Sequence, residues 1–157
     1  MRTLLLGSLM FLLVGCGFQL QGSYKLPDDL QQLRIEAPQF SEFADEARQR
    51  FQLAGAELVD DTAAVTVQIL DDSLTRRTLS LSASGQVAEY ELIYTVNYLL
   101  SRPEQAGKAL QIEVFRDYQD DPNFALAKTR EREVLVAEMR EQAAQQMVRQ
   151  VIAQVSE

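Results

Sequence analysis

Histidine is absent from this sequence of 157 residues, and cysteine occurs only once. Without an imidazole, neither a Ser-His nor a Cys-His nucleophile pair can form, and no histidine can bind a metal. The lone cysteine excludes an internal disulfide and a cluster of thiolate ligands. We therefore predict no catalytic residue, no metal site and no cofactor, and we expect that the protein is not an enzyme.

Basic residues are also scarce. The chain has 15 lysines and arginines against 23 aspartates and glutamates, which gives a net charge of −8. Such a chain attracts the phosphate backbone of a nucleic acid poorly, so nucleic acid is not an expected partner. The hydrophobic share of 46% and the charged share of 24% are typical of a globular domain. The composition therefore indicates a compact, acidic domain whose work is binding.

The first 15 residues have the pattern of a secretory signal peptide. Arg2 supplies a positive start, and residues 4–14 form an apolar run that only Gly7 and Ser8 interrupt. A membrane-spanning helix needs about 20 apolar residues, so this run is too short for that role and suits a signal peptide instead. We expect residues 1–15 to be removed, which leaves 157 − 15 = 142 residues with a net charge of 14 − 23 = −9.

The apolar run ends in Leu13-Val14-Gly15-Cys16, which resembles the lipobox of bacterial lipoproteins. We predict that Cys16 becomes the first mature residue and carries a diacylglycerol on its sulfur and an acyl chain on its amine. Several acyl chains together anchor a protein stably in a membrane. Gly17 follows the cysteine instead of the aspartate that resembles an inner-membrane retention signal, so the outer membrane is the predicted location. The alternative is an ordinary signal peptide with an incidental cysteine.

The first half of the mature chain predicts strands around one helix. A turn-rich lead-in at residues 16–29 precedes a single domain at residues 30–157. Residues 33–37 alternate as a short strand, and residues 41–54 carry apolar side chains at helical spacing, with Ser41 as N-cap and Gly55 as the C′ residue. A strand begins at Val65, bends or bulges near Asp71-Asp72, and resumes at Leu79 and Leu81.

The second half predicts two more strands and a long helix. Residues 83–86 form a turn, and residues 88–100 alternate as a long strand. A last strand at residues 110–114 runs on toward Tyr118, residues 124–128 form a short helical turn, and the terminal helix covers residues 129–154. We therefore predict an α+β, two-layer sandwich in which two helices pack on a four-stranded, mostly antiparallel sheet.

Three acidic doublets could supply the paired carboxylates of a glycoside hydrolase: Asp60-Asp61, Asp71-Asp72 and Asp120-Asp121. Each doublet is interpreted as lying at the end of an element, where aspartate bonds its own backbone in turns. Tyr90, Tyr94 and Tyr98 recur on one face of a strand. They form either a stacking platform for sugars or, by the interpretation that we prefer, part of the core beneath the helices.

Two basic points could bind an anion. Arg76 and Arg77 lie in a stretch without a neighbouring acid, and guanidinium groups match phosphate oxygens in geometry. Lys128 and Arg130 lie just before the predicted terminal helix, whose N-terminus also attracts anions. The alternatives are a solvated strand charge for the arginines, and ordinary ion pairs with Glu131 and Glu133 for the second point.

Three stretches together resemble the outer-membrane lipopolysaccharide-assembly lipoprotein family, LptE. The first stretch is Cys16-Gly17-Phe18-Gln19-Leu20-Gln21-Gly22, and the second is Gly85-Gln86-Val87-Ala88-Glu89-Tyr90-Glu91, which continues into Tyr94-Thr95-Val96-Asn97. The third comprises Val114-Phe115-Arg116, Asp121-Pro122-Asn123-Phe124-Ala125-Leu126-Ala127-Lys128, and Glu138-Met139 with Ala143-Ala144-Gln145-Gln146 in the terminal helix. The stretches occur in the right order over most of the mature chain.

The resemblance implies a non-catalytic lipoprotein in the outer membrane. Such proteins pair with a large β-barrel, LptD, sit as a plug in its lumen, and help to deliver lipopolysaccharide to the outer leaflet. The family fold has two helices on a four-stranded sheet. Lys128 matches a position through which the family is thought to touch lipopolysaccharide, whereas Ala83 stands in the turn where the family often has a basic residue. Arg76 and Arg77 could substitute for that residue if the hairpin brings them near Lys128.

Three hypotheses of function remain open at this level. The first is a lipid-anchored subunit that plugs and helps to assemble a lipopolysaccharide export barrel. The second is a periplasmic lipoprotein that activates a cell-wall synthase or docks on another barrel complex, and the third is a carboxylate-based envelope hydrolase. The membrane partner that co-purifies with the chain separates the first two hypotheses, and a zymogram against cell-wall material tests the third.

Overall fold

The computed structural model describes residues 26–103 and 105–156. The predicted signal peptide at residues 1–15, the predicted lipidation site Cys16 and most of the predicted lead-in at residues 16–29 lie outside the described residues. None of the helices in the described part is long and apolar enough to cross a membrane.

Five strands and two α-helices make up the described part of the chain. In chain order they are β1 (Gln32–Glu36), α1 (Glu42–Leu53), β2 (Glu57–Leu58), β3 (Val65–Leu81), β4 (Val87–Ser101), β5 (Lys108–Gln119) and α2 (Ala125–Val155). Short 3-10 turns at Asp28–Leu30 and Pro122–Phe124 precede β1 and α2. The architecture is α+β, as predicted, with both helices packed against the sheet.

The sheet is mixed, and its strand order is β2-β1-β3-β4-β5. β1 runs parallel to both β2 and β3, whereas β4 runs antiparallel to both β3 and β5. The two parallel pairs arise because α1 carries the chain over the sheet between β1 and β2, and residues 59–64 then lead to β3 on the other side of β1. The three long strands then follow one another through hairpin connections.

The prediction of four strands is wrong by one strand. β2 has only two residues, too few to show the alternation that identifies a strand in a sequence. Backbone bonds hold it in place, because the Glu57 N–H donates to the Gln31 carbonyl at 2.7 Å and the Val59 N–H donates to the Leu33 carbonyl at 3.0 Å. β2 therefore forms only because β1 lies beside it, and the residues of β2 themselves do not indicate this pairing.

The limits of α1 follow from residues that were identified in the sequence. The Ser41 side chain accepts a hydrogen bond from the Ala44 N–H at 3.1 Å, so it caps the first turn. Gly55 has φ of +100°, a conformation that glycine adopts without a steric penalty, and it ends the helix. Phe43, Ala44, Ala47 and Phe51 form the buried face of the helix.

β3 is continuous where the sequence predicted a polar interruption. Its register with β4 shifts between Ile69 and Asp71, which confirms the predicted bulge and places it at Leu70. Further shifts occur between Thr78 and Ser80 and between Ser80 and Leu81. Leu79 and Leu81 are 46% and 61% exposed, so neither returns to the core. The interpretation of Asp71-Asp72 as the end of an element is wrong, because the doublet lies inside β3 beside the bulge.

α2 begins earlier than predicted, and residues 125–128 belong to it. No proline or glycine interrupts the chain between Ala125 and Val155, and most of these residues are good helix formers, so the helix extends through them. The predicted separate helical turn at residues 124–128 is therefore wrong, and the distinct turn is the 3-10 segment just before it. From Met139 to Val155 the buried side chains of α2 form one apolar stripe that belongs to the core: Met139, Ala143, Ala144, Met147, Val148, Val151 and Val155.

The core lies between the helices and one face of the sheet, at the end that holds β1 and α1. Its largest fully buried side chains are Phe43, Phe51, Tyr94, Tyr98, Leu30, Leu33, Met139 and Met147. α1 and α2 also meet through the ion pairs Arg50–Glu141 at 2.6 Å and Arg140–Glu42 at 2.7 Å. In the distal half of the β3–β4 hairpin, residues 70–79 of β3 are exposed, although Val96, Tyr94 and Leu92 of the adjacent β4 are buried in the core.

The two halves of α2 should respond differently to truncation. Met139 is 0% exposed and packs on the sheet, whereas Val134 on the same helix is 59% exposed. We expect Met139→Ala to lower the free energy of unfolding by about 2–5 kcal/mol, because a cavity remains in the core. Val134→Ala should change it by no more than about 0.5 kcal/mol. Urea unfolding followed by circular dichroism measures both, and equal losses would contradict this division of the helix.

Candidate functional site

The alternation of β3 separates the two candidate arginines. After the bulge at Leu70, Arg76 pairs with Leu92 and Arg77 pairs with Glu91 across the β3–β4 ladder. Leu92 is buried on the face of β4 that packs against the helices. Arg76 therefore lies on the helix side of the sheet and Arg77 on the outer side, because opposed residues in a ladder share a face. The structure therefore does not bring Arg76 and Arg77 to the same face of the sheet.

Arg76 and Lys128 instead lie on neighbouring tyrosines. The Arg76 guanidinium carbon lies 4.8 Å from the centre of the Tyr90 ring, and Lys128 Nζ lies 5.5 Å from the centre of the Tyr118 ring. Tyr90 and Tyr118 are directly opposed in the β4–β5 ladder. Cations at these distances are attracted by the ring faces. We call Arg76, Tyr90, Tyr118 and Lys128 the tyrosine–cation row.

Lys128 is held in place by both its backbone and its side chain. The Tyr118 hydroxyl donates a hydrogen bond to the Lys128 carbonyl at 3.0 Å, which ties the first turn of α2 to β5. Lys128 Nζ donates to Glu131 at 2.8 Å. This bond to Glu131 raises the pKa of the Lys128 ammonium above its ordinary value, so the group remains charged. The ion pair between Lys128 and Glu131, which the sequence offered as the alternative to an anion site, is therefore confirmed.

The two arginines also differ in their charge partners. Arg77 forms an ion pair with Glu91 at 2.6 Å on the outer face. Arg76 has no ion-pair partner among the residues that the structure describes, and its contact is the Tyr90 ring. A ligand can therefore accept hydrogen bonds from Arg76 without breaking an ion pair of this residue.

A pocket of about 380 Å³ lies beside Lys128. Its lining includes Tyr118 and Lys128, together with the carboxylates of Glu89, Asp117 and Glu131. Three carboxylates around one ammonium disfavour an anion inside this pocket. An anion would instead approach Lys128 and Arg76 over the tyrosine faces.

The tyrosines of β4 are mainly structural. Tyr94 and Tyr98 are 2% and 0% exposed, so the hypothesis of a sugar-stacking platform is wrong for both, and the core interpretation is confirmed. Their hydroxyls donate to Asp72 at 2.7 Å and to Gln150 at 3.1 Å. Tyr90 is partly buried against the core, beneath Arg76.

The remaining predicted features do not converge on a catalytic or metal site. Asp61 accepts from the Ala63 N–H at 2.9 Å and Asp121 accepts from the Asn123 N–H at 2.9 Å, which confirms the turn interpretation for those two doublets. No metal-binding group of three or more acidic, cysteine or histidine side chains occurs within residues 26–103 and 105–156. Ala83 lies in the exposed hairpin turn, where Gly85 has φ of +81°.

Sequence reasoning missed Tyr118 as a member of the row. Its role depends on two distant elements, because its ring lies beneath Lys128 while its neighbour Tyr90 lies beneath Arg76. The ladder between β4 and β5 sets this arrangement, and no local spacing in the sequence encodes it. The period-two pattern of β4 had indicated only that Tyr90 faces the same way as Tyr94.

Two solved structures share this architecture. The crystal structure of rare lipoprotein B from Shewanella oneidensis is 39% identical, with a TM-score of 0.74, and covers 80% of this chain and 96% of its own. The solution structure of a lipoprotein B from Nitrosomonas europaea is 32% identical, with a TM-score of 0.73, and covers 89% of this chain and 93% of its own. The fold is therefore that of a class of bacterial lipoprotein domains.

The sequence comparisons identify the family within this class. The family model described as LptE, lipopolysaccharide-assembly, matches residues 30–151. The LPS-assembly lipoprotein LptE of Yersinia pestis (strain Pestoides F) is 40% identical over 154 residues, which covers 96% of this chain and 74% of the relative. The chain belongs to the LptE family. The resemblance stated from the sequence is confirmed.

The buried tyrosines predict a loss of stability at alkaline pH. Burial raises the pKa of Tyr94 and of Tyr98 above the ordinary value of 10.0, and the nearby Asp72 raises that of Tyr94 further. Above pH 10.0 the unfolded chain therefore loses these protons while the folded chain keeps them, so stability falls as pH rises. Each retained proton contributes a slope of up to about 1.4 kcal/mol per pH unit.

Replacing both residues should make that loss smaller. We expect the variant Tyr94→Phe with Tyr98→Phe to be less stable than the parent at neutral pH, because two hydroxyl hydrogen bonds are lost. Between about pH 9 and pH 11, however, its stability should fall less steeply than that of the parent. Urea unfolding at several pH values measures the slopes. Parallel curves for the two proteins would show that other groups cause the alkaline loss.

Proposed function

We propose that this chain is an outer-membrane lipoprotein subunit that plugs an LptD-like β-barrel and helps to deliver lipopolysaccharide to the outer leaflet. Membership of the LptE family supports a role in lipopolysaccharide assembly. In this proposal, acyl chains on Cys16 hold the domain at the periplasmic side of the membrane. The observation that carries the ligand part is the pairing of Arg76 and Lys128 with neighbouring tyrosines on one face.

The surface of the domain suits enclosure by a polar wall. The helices cover only one face of the sheet, and the other face presents mixed polar side chains such as Thr95, Asn97 and Gln111. From Leu70 onward β3 is exposed beside β4, and the hairpin ends in an exposed turn at residues 83–86. An extended hairpin with a polar surface can occupy the water-filled interior of a barrel, which is itself polar.

The tyrosine–cation row suits an anionic glycolipid. Lipid A presents phosphates beside a sugar and acyl chains, so a complementary site needs local cations next to apolar surface. Arg76, which has no ion-pair partner among the described residues, supplies a guanidinium, and Tyr90 supplies a ring. The net charge of −8 gives no general attraction for an anion, so affinity must come from these local groups.

Glu131 determines how strongly Lys128 can bind a phosphate. A phosphate that binds Lys128 must share or displace the Glu131 carboxylate, which lies 2.8 Å from Nζ. Because this pair is partly exposed, solvent screens its attraction, and the pair is readily exchanged for another partner. A phosphate with two negative charges can compete with it. In this proposal Arg76 provides the main contact and Lys128 a second contact that Glu131 weakens.

The barrel part of the proposal predicts specific cross-links. Ser84 and Gln86 are exposed in the turn of the hairpin. A photoreactive residue at either position should capture an outer-membrane barrel protein in intact cells. Leu53, which is 70% exposed at the end of α1, offers a second position near the opposite end of the domain. Capture of soluble periplasmic proteins alone from the hairpin turn would contradict the plug and favour the second hypothesis of function.

The ligand part predicts that the two adjacent arginines differ. Arg76→Gln should weaken the binding of lipopolysaccharide by about tenfold or more, since a charge-assisted hydrogen bond contributes about 1.5–3 kcal/mol. Lys128→Gln should weaken it less, because Glu131 already occupies the ammonium. Glu131→Gln should strengthen binding, because it frees Lys128. Titration of the purified chain with fluorescent lipopolysaccharide measures all three changes.

Arg77→Gln is the matched control for that experiment. It removes the same charge one residue further along the strand, but from the outer face, where Arg77 is paired with Glu91. We expect binding within about twofold of the parent and a change in stability of no more than about 1 kcal/mol. Equal losses from Arg76→Gln and Arg77→Gln would show that only overall charge matters, and the proposed row would then be abandoned.

A further inference from the structure

One edge of β3 is open over most of its length. β1 pairs with β3 only from Val65 to Gln68, while β4 occupies the other edge of β3 as far as Leu81. In the part of the chain that the structure describes, no strand pairs with the β1-side edge of β3 beyond Gln68. Residues 71–79 are all exposed. Such an edge presents unpaired N–H and C=O groups to another strand.

The charges along this open edge are arranged symmetrically with opposite signs. Residues 71–77 read Asp-Asp-Ser-Leu-Thr-Arg-Arg, so two acids precede Leu74 and two arginines follow it at equal distances. If two copies of the strand lie antiparallel with Leu74 opposite Leu74, every charge faces its opposite. The opposed residues are then Asp71 with Arg77, Asp72 with Arg76, Ser73 with Thr75, and the same pairs in reverse.

This register is also compatible with the faces of the two sheets. Opposed residues of an antiparallel pair must point to the same side. Asp72 and Arg76 both lie on the helix side of their sheet, because they pair with the buried Val96 and Leu92 of β4. Asp71 and Arg77 both lie on the outer side. A register shifted by one residue would place groups from opposite faces against each other.

The open window fits the symmetric pairing in length. At one end β1 stops at Glu36, beside Gln68, and at the other end a second irregularity in β3 follows Thr78. A pairing centred on Leu74 that runs from Asp71 to Arg77 therefore fits within the window between the two irregularities, and it does not require β1 to move. The seven opposed residues of this pairing exceed the length of an average strand, which is about 5–6 residues.

We infer that β3 forms an isologous interface with β3 of a second copy of this chain, antiparallel and centred on Leu74. The two sheets then join edge to edge around a two-fold axis, and both copies contribute the same patch. The inference does not depend on the proposed barrel or on the proposed ligand.

The charged side chains of this edge can still bind a second partner in addition to their contacts within the chain. Asp71 accepts from Asn97 at 2.9 Å and Asp72 accepts from Tyr94 at 2.7 Å, and each carboxylate has a further oxygen. The Arg77 side chain is 66% exposed despite its pair with Glu91. Charged residues on an edge strand normally prevent pairing, because like charges repel. Here the order of signs makes antiparallel pairing with an identical strand attractive.

Disulfide cross-linking tests the register directly. The purified full-length chain in detergent, without a barrel protein, is oxidised and run on a non-reducing gel. Leu74→Cys should give a covalent dimer, because directly opposed residues lie about 4.5–5.5 Å apart, within the span of a disulfide. Thr78→Cys is the matched position on the same strand, and it should give none. In the proposed register its counterpart lies eight residues away, about 26 Å.

Two further variants serve as controls. The parent chain keeps Cys16, so it shows whether that residue alone gives a dimer band. Phe115→Cys places a thiol at a 47% exposed position on β5, the strand at the other edge of the sheet. We expect no dimer from either protein. A dimer from Phe115→Cys with none from Leu74→Cys would assign the interface to the wrong edge and overturn the inference.

Charge exchange tests the complementarity without relying on a cysteine. Asp71→Arg with Asp72→Arg makes the edge entirely basic, and Arg76→Asp with Arg77→Asp makes it entirely acidic. Each variant alone should lose self-association by at least about tenfold in analytical ultracentrifugation, because like charges then face each other. An equimolar mixture of the two should associate again as a heterodimer. The chain with all four exchanges should recover its own dimer.

Glu113→Arg with Asp117→Arg is the control for charge alone. It changes the net charge as much as Asp71→Arg with Asp72→Arg does, but at exposed positions of β5. It should leave association unchanged. Circular dichroism melts confirm that each variant is folded before it is compared. A monomeric parent chain at all concentrations tested, or variants that do not associate when mixed, would overturn the inference. Either result would leave β3 as an edge that is merely protected by its charges, or one covered by another segment.

Discussion

The bulge at Leu70 determines what the distal half of the β3–β4 hairpin presents on each side. Before the bulge, Val67 and Ile69 face the helices. One extra residue in β3 reverses the alternation, so that Asp72 and Arg76 then face the helices and Arg77 faces outward. Without this residue Arg77 would lie on the helix side, and Arg76 would not reach the Tyr90 ring. The tyrosine–cation row and the charge order of the open edge both depend on this single shift.

Burial is unevenly distributed along the same hairpin. Near the base, Val67, Leu100 and Tyr98 lie beneath the helices and are almost fully buried. Further out, β3 has exposed residues on both faces, so its order depends on the backbone ladder to β4 and on polar contacts such as Tyr94 with Asp72. Exposed β-structure gains little from hydrophobic burial, and its edges remain able to pair. This half of the hairpin is therefore where a ligand, a barrel wall or a second copy can make contact.

The cations around the tyrosine–cation row differ in their partners, although the chain as a whole is acidic. Lys128 is paired with Glu131 and Arg77 with Glu91, whereas Arg76 contacts an aromatic ring. Because Lys128 and Arg77 each have a carboxylate partner, the attraction of this part of the surface for an anion rests mainly on Arg76. Specific recognition is compatible with a strongly negative net charge under this arrangement, since exposed charges act over only about 8–10 Å at physiological ionic strength.

The sequence by itself determined the family, the α+β class and most elements. The caps of α1 at Ser41 and Gly55, the period-two run of β4 and the turn at Gly85 are local signals, and each was located correctly. Spacing also indicated a bulge near Asp71, but it could not say which residue was the extra one. Only the register against β4 identifies that residue as Leu70, because the shift is a relation between two strands.

Tertiary structure alone decided the membership of the candidate site. Neighbours in sequence, Arg76 and Arg77, were separated to opposite faces, whereas Arg76 and Lys128, more than fifty positions apart, were brought to adjacent tyrosines. The two-residue strand β2 was likewise invisible until β1 was in place. Local propensity and periodicity encode elements, but the pairing of strands sets which side chains meet, and that pairing depends on contacts between distant parts of the chain.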